Sequence, residues 1–161
     1  MQKKQILEHF WRAASEKEGW YPPYADALKD VSAEVADWRV EGKASNTIWE
    51  TVVHVIFYKE RLLKRLKGEK DEKIETNDDT FVITDHSPEA WPLTVHKLFS
   101  VQKELLDELG KLSEEDLDKP LYKEPIGAQY MNLIVHDAYH TGQIIMILKL
   151  KGDWPDHRSF A

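Results

Sequence analysis

The chain contains no cysteine. This excludes disulfides, iron–sulfur clusters and every zinc site built on thiolates, so any metal must be held by histidine, carboxylate or carbonyl oxygen. Long apolar runs are also missing. The longest, Ile144 to Leu148, is far short of the ~20 residues that a membrane span needs. Met1-Gln-Lys-Lys leads directly into the mixed stretch Ile6-Leu-Glu-His-Phe-Trp-Arg12, which has no continuous apolar core of the kind a signal peptide carries. A soluble, cytoplasmic protein is the expectation. Positive charge is in deficit: 22 Lys and Arg stand against 29 Asp and Glu, a net charge of −7, and no Lys/Arg stripe compensates. Such a surface repels phosphate backbones and anionic lipid, so neither nucleic acid nor a membrane is an expected partner.

What is present suits one helical domain over residues 1–161, with 42% apolar and 11% aromatic residues to build a core. Four stretches carry helical periodicity, and none alternates at the strand period for long enough to make a sheet. In the first, Ile6, Phe10, Ala13 and Ala14 form a stripe that ends before Gly19 and Pro22-Pro23. Tyr24 to Trp38 suits short helical turns. Thr47 and Glu50 have capping-box spacing and open a second helix that runs through Val52, Val55, Leu62 and Leu66 to Gly68. Glu69 to Asp85 is densely charged around the short Phe81-Val-Ile-Thr run and reads as a long surface connection. Ser87-Pro88-Glu89 predicts the start of a third helix, with stripe Trp91, Val95, Leu98, Leu105 and Leu109 and a stop near Gly110. The last helix is expected from about Ala128 to Lys151, closed by Gly152. Four amphipathic helices bury their stripes most simply as a four-helix bundle, where metal sites are built from side chains of facing helices.

Chemistry concentrates in the last helix. His136 and His140 are four residues apart, so both imidazoles leave one helix face a single turn apart and can reach one ion. Gln143 and Ile147 continue the same line, which predicts that the rings point inward. The pair alone also fits two core histidines with satisfied ring nitrogens, or two surface histidines beside a partner. His54 adds weight, because it interrupts the apolar stretch Thr51-Val-Val-His54-Val-Ile-Phe-Tyr58, where a neutral imidazole needs a partner for each nitrogen. A bond to a carbonyl would serve it singly; one shared site is the more economical reading of all three.

These residues carry a resemblance. Ser45-Asn-Thr-Ile-Trp-Glu50-Thr-Val-Val-His54 with Tyr58 after it, and the later His136-x-x-x-His140-x-Gly142-Gln143-Ile144, resemble the DinB-like superfamily of small metalloenzymes over about residues 3 to 155. The resemblance implies a four-helix bundle in up-down-down-up order, with the Glu69 to Asp85 connection crossing between parallel second and third helices. It further implies a divalent ion on His54, His136 and His140, and a homodimer. Activities in that family include transferases and an isomerase that use a low-molecular-weight thiol, while many members have no assigned reaction, and the family name implies no DNA chemistry.

Three neutral imidazoles leave an ion an open position, which suits catalysis: it can lower the pKa of a water, or hold a thiol as thiolate. Zinc or nickel is expected, with iron, copper and manganese compatible with the same ligands. The leading expectation is therefore a metal-dependent thiol S-transferase acting on a small electrophilic substrate, against a metal-dependent hydrolase or a noncatalytic, stress-related metal-binding dimer. Among supporting residues, Gln143 could bond substrate or a ligand ring, or be a buried packing amide. Glu50 is read as the cap and Asp137 as a solvated or interface carboxylate. Gly142 permits close helix or subunit approach. His9 could border the pocket; His86, His96 and His157 read as surface or packing residues, and the six tryptophans as core or dimer contacts.

Overall fold

The computed structural model describes residues 1–42 and 44–157. Four long helices dominate it: α1 (Lys3–Ser15), α4 (Ile48–Leu66), α5 (Ala90–Lys111) and α6 (Ile126–Lys151), with the short α2 (Tyr24–Leu28) and α3 (Ala33–Asp37) between the first two. The chain is thus mostly helical, and no described helix is long and apolar enough to cross a membrane. A two-residue ladder, β1 (Pro120–Leu121) against β2 (Glu124–Pro125), is the strand content among the described residues. It is too short to have an alternating pattern, which is why periodicity did not reveal it.

Local signals set most helix ends. The Thr47 hydroxyl accepts from the Glu50 N–H while the Glu50 carboxylate accepts from the Thr47 N–H, the reciprocal capping box that starts α4. Gly152, at φ +88°, ends α6 in the left-handed conformation that glycine reaches at least cost. The start of α5 differs from expectation. Asp85 accepts the Ser87 N–H, and the Ser87 carbonyl accepts from Ala90, so residues 87–89 form a turn and the helix begins at Ala90.

α1 also buries a different face from the expected one. Leu7, Trp11 and Ala14 line its core side, whereas Phe10 is 43% exposed. The two candidate stripes lie about 100° apart, and the one carrying the larger indole wins because Trp11 can also donate to the Gln102 carbonyl at 3.1 Å. Trp20, by contrast, is fully exposed rather than a core or contact residue within the chain.

α4 packs along both α5 and α6, and α1 lies against α5 and α6. Along α4 and α5, Trp49 bonds Thr94 and Lys67 bonds Glu104, so residue numbers rise together. Along α4 and α6 they run oppositely: His54 meets His136, and Arg65 meets Gln129. Two apolar clusters fill the interior. One gathers Ile48, Trp49, Trp91, Leu98 and Ile144; the other gathers Leu7, Trp11, Leu105, Leu109 and Tyr130. The seam between α4 and α6 carries the polar chemistry.

Candidate metal centre

His54 lies seven residues, about two turns, after the α4 cap, and His136 and His140 are one turn apart in the middle of α6. The antiparallel seam brings all three together. His54 Nε2 lies 3.0 Å from His136 Nε2, which lies 3.1 Å from His140 Nε2. Together they form a cluster whose ligand atoms are within 4.8 Å of one another. Two imidazole nitrogens bound tetrahedrally to one zinc-like ion at ~2.0–2.1 Å stand about 3.3 Å apart, close to these spacings.

The hydrogen bonds behind the rings identify the tautomers. Thr80 donates its hydroxyl hydrogen to the Asn77 carbonyl at 2.6 Å, so its oxygen can only accept at 2.6 Å from His54, which must carry its proton on Nδ1. Gln143 Oε1 is likewise an acceptor, 2.7 Å from His140 Nδ1. Both rings are therefore bare at Nε2, and both bare nitrogens face His136 Nε2. A proton on that nitrogen could satisfy one of them but not both; a cation satisfies all three. His136 Nδ1 is buried without a hydrogen-bond partner among the described residues.

Protons are disfavoured there. Burial, reinforced by His140, lowers His54 to about 4. Burial, then the neighbouring His140, His54 and Lys59, lowers His136 to about 3. His140 is lowered too, chiefly by burial, with the Gln143 bond opposing. At neutral pH the three rings are uncharged lone-pair donors, the state that metal binding requires.

Aromatic rings wall the site. Phe81 stacks flat on His54 at 4.0 Å, Tyr58 meets His54 and His136 edge-on at 5.0 and 5.3 Å, and Tyr139 meets His140 edge-on at 5.0 Å. Asn77 ties two of these supports together, its carbonyl accepting from Thr80 and its side-chain oxygen from the Tyr58 hydroxyl at 2.9 Å. Thr80, Asn77 and Phe81 were not singled out by sequence. Their only trace is the short uncharged Thr80-Phe-Val-Ile-Thr84 run inside a charged connection, and the segment is not the plain surface link expected, because Thr80 is buried against His54.

The other candidates lie elsewhere. Glu50 accepts from Thr47 and Arg39 and serves the cap. His9, His86, His96 and His157 are exposed, and the His9 ring packs edge-on against its neighbour Phe10. Gln143 is exposed at its far side, not a buried packing amide, while its oxygen holds His140. Asp137 reverses the expectation of a solvated carboxylate: it is 0% exposed and paired at 2.6 Å with Lys59, also 0% exposed. Lys59 donates as well to Gln102 Oε1 at 2.6 Å and lies over the Trp11 ring at 4.5 Å. Burial pushes Asp137 up and Lys59 down, while each partner's charge pulls the other back.

Residues 23–144 match the family model of the DinB superfamily, a span of more than half the chain that contains all three histidines. No curated protein and no solved structure matches the chain.

Proposed function

Because the chain belongs to the DinB superfamily, we propose that His54, His136 and His140 hold a divalent cation, zinc or nickel foremost, in a thiol S-transferase that acts on a small electrophile. The convergence of three Nε2 atoms, two of them stripped of their proton by Thr80 and Gln143, carries this reading. When bound, the cation would supply a Lewis-acid centre that lowers the pKa of an incoming thiol.

The chain's own residues favour a thiol over hydrolysis. Phe81, Tyr58 and Tyr139 set aromatic rings around the centre, a surface that suits a polarisable sulfur.

The expected bundle topology is part of the same proposal. Trp11 on α1 bonds Gln102 and Lys4 bonds Gly110, so α1 and α5 run oppositely. With α4 alongside α5 and α6 against α4, these directions support the order up-down-down-up. A homodimer is supported by the outer face of α6. Met131, Val135, Tyr139, Met146 and Leu150 are exposed there and, with Gly142, fall within an arc of about 100°. The stripe is self-complementary. A two-fold axis between residues 140 and 141 sets Met131 opposite Leu150, Val135 opposite Met146, and Tyr139 opposite Gly142, where nothing within 4 Å fills the space of a Cβ.

The test is metal analysis of purified variants, with thiol titrations of metal-loaded and metal-free protein. His140→Ala should lose most bound metal and His96→Ala none, both keeping their helical circular dichroism. Thiol should bind only the loaded protein. Equal occupancy in the two variants would remove the triad from consideration, and turnover of ester probes without thiol would favour hydrolysis.

A further inference from the structure

Two turns of α4 beyond His54, the seam with α6 opens into a pair of neighbouring cavities. The nearer, about 170 Å³, is lined by Tyr58, Arg61, Arg65, Gln129 and Asn132 among others. The second, about 420 Å³, shares Arg61, Arg65 and Gln129 and reaches Tyr122 and Lys123 on the hairpin turn. Tyr58 links this groove to the histidines, since its ring contacts both His54 and His136. His54, Tyr58, Arg61 and Arg65 follow one another at i, i+4, i+7 and i+11, so a single face of α4 runs from the triad to the arginines.

The arginines are held unequally. Arg65 is committed: its Nε and one terminal nitrogen donate to Asp71, its other terminal nitrogen donates to Gln129, and its guanidinium covers the Tyr122 ring at 4.5 Å. Gln129 in turn donates to the Leu121 carbonyl, which fastens the hairpin to the cluster. Arg61 spends only Nε, on Asp71 at 3.0 Å. Its two terminal nitrogens make no hydrogen bond among the described residues, although the side chain is only 26% exposed. The acidic groups nearby are already engaged, Asp71 by both arginines and Glu124 by the Asn132 amide at 2.9 Å. With Lys123 at the rim, three cations face two carboxylates in a chain whose overall charge is strongly negative.

We propose that this groove is the substrate's anchoring site and that Arg61 binds a carboxylate there, about 10 Å along α4 from the histidines. The seven-residue separation sets that distance at 1.5 Å per residue. Two parallel N–H donors on one planar guanidinium match the two oxygens of a carboxylate, the pairing that adds orientation to attraction. The inference rests on the metal reading above and adds to it a substrate class: a small molecule with its reacting atom at the triad and a carboxylate at the far end. An anchor there would position the reacting atom without touching the histidines.

Cobalt-loaded protein tests this, because a sulfur ligand on Co(II) produces a near-ultraviolet charge-transfer band. The probes are 8-mercaptooctanoate, whose sulfur and carboxylate stand roughly 10 Å apart when extended and so match the span on the helix, and the neutral 8-mercaptooctanol. Wild-type protein should bind the carboxylate thiol at least about ten-fold more tightly, the scale of a charge-assisted hydrogen-bonded pair. Arg61→Gln should bring that preference within about two-fold, with cobalt content and mercaptooctanol affinity unchanged; Arg61→Lys should fall between. Thioglycolate, too short to span the groove, should be indifferent to Arg61. No preference in the wild type, or a preference that survives Arg61→Gln, overturns the anchor. A band with neither thiol sinks the thiol reading instead, and suberate titrated by calorimetry then decides the groove: weaker binding to Arg61→Gln upholds it, and equal binding overturns it.

Discussion

Replacing Lys59 by methionine should destabilise the protein by about 3–5 kcal/mol, the cost of leaving a buried charge without its partner. The figure follows from the surroundings of the pair. Both side chains are 0% exposed, Lys59 Nζ is 2.6 Å from Asp137 Oδ2 and from Gln102 Oε1, and the neutral Tyr24 hydroxyl is the other polar group beside the carboxylate. Methionine fills the lysine's volume but donates nothing, so the carboxyl must become neutral or remain as an uncompensated anion. Against a total stability of about 5–15 kcal/mol, the loss is a large fraction. Asp137→Leu should cost a similar amount, because it strands the ammonium. The double variant should be less damaged than the sum of the two by several kcal/mol, since it removes both desolvation penalties. Urea unfolding with linear extrapolation measures all three. A pH series adds a second signature. Burial raises Asp137 and Lys59 opposes that rise, so the Lys59→Met variant holds its carboxyl proton to higher pH than the wild type. An acid raised on folding contributes stability below its unfolded pKa of ~3.9 and loses it as pH climbs toward the folded value. The gap between wild type and Lys59→Met should therefore widen from pH 4 to 8. Single losses under about 1 kcal/mol, additive effects in the double variant, or a gap that is flat with pH would each refute the reasoning.

Thr80→Val removes the acceptor that keeps the His54 proton on Nδ1, and should weaken metal binding by about 10–100-fold while Thr80→Ser preserves it; equal affinity for Thr80→Val would show that the tautomer is set elsewhere. In the metal-free protein His54 and His136 are lowered to about 4 and about 3, so their neutral forms favour folding above the unfolded value of ~6.5 and this stability drains away as pH falls from there toward 3. Urea midpoints from pH 7.5 down to 4.5 should drop more steeply for wild type than for His54→Gln/His136→Gln, and parallel curves would contradict the lowered values. On α6, Val135→Glu with Met146→Glu should leave a monomer by sedimentation with metal content intact, because the proposed two-fold sets these like charges face to face. Val135→Lys with Met146→Glu should restore the dimer, whereas a monomer there would rule out the proposed register.

The parts of this molecule that were legible in the sequence are those whose cause is local. Thr47 and Glu50 are three residues apart and cap each other; His136 and His140 are one turn apart and face one way. His54 was readable because an imidazole amid Val52, Val53, Val55 and Ile56 is costly without a partner. The buried face of α1 was not, since Phe10 and Trp11 head adjacent apolar lines and only Gln102, far along the chain, decides between them. Asp137 read as a solvated or interface carboxylate, and Lys59 carried no signal of its own, because each is neutralised by a partner 78 positions away. Thr80 and Phe81 were hidden for a related reason: a single 3-10 turn, Asn77–Phe81, has no periodicity to detect, and its role exists only once it folds back over α4.

One pair of antiparallel helices thus carries three kinds of polar contact at successive levels. The histidines meet across α4 and α6, the ion pair Lys59–Asp137 lies five residues beyond His54 and one beyond His136, and Arg65 reaches Gln129 further along. Because Asp137 follows His136 directly, its side chain leaves the helix about 100° around, toward the core, while the imidazole faces the open side. The buried pair therefore cannot ligate, yet it pins the rotation of α6 against α4 on which the 3.0 Å approach of His54 to His136 depends. An apolar contact at that place would tolerate small axial slips, since dispersion is nondirectional. A 2.6 Å ion pair sealed from water tolerates far less, because any slip exposes an unpaired charge to a medium that cannot solvate it. The register that brings the rings together is held by residues outside the triad.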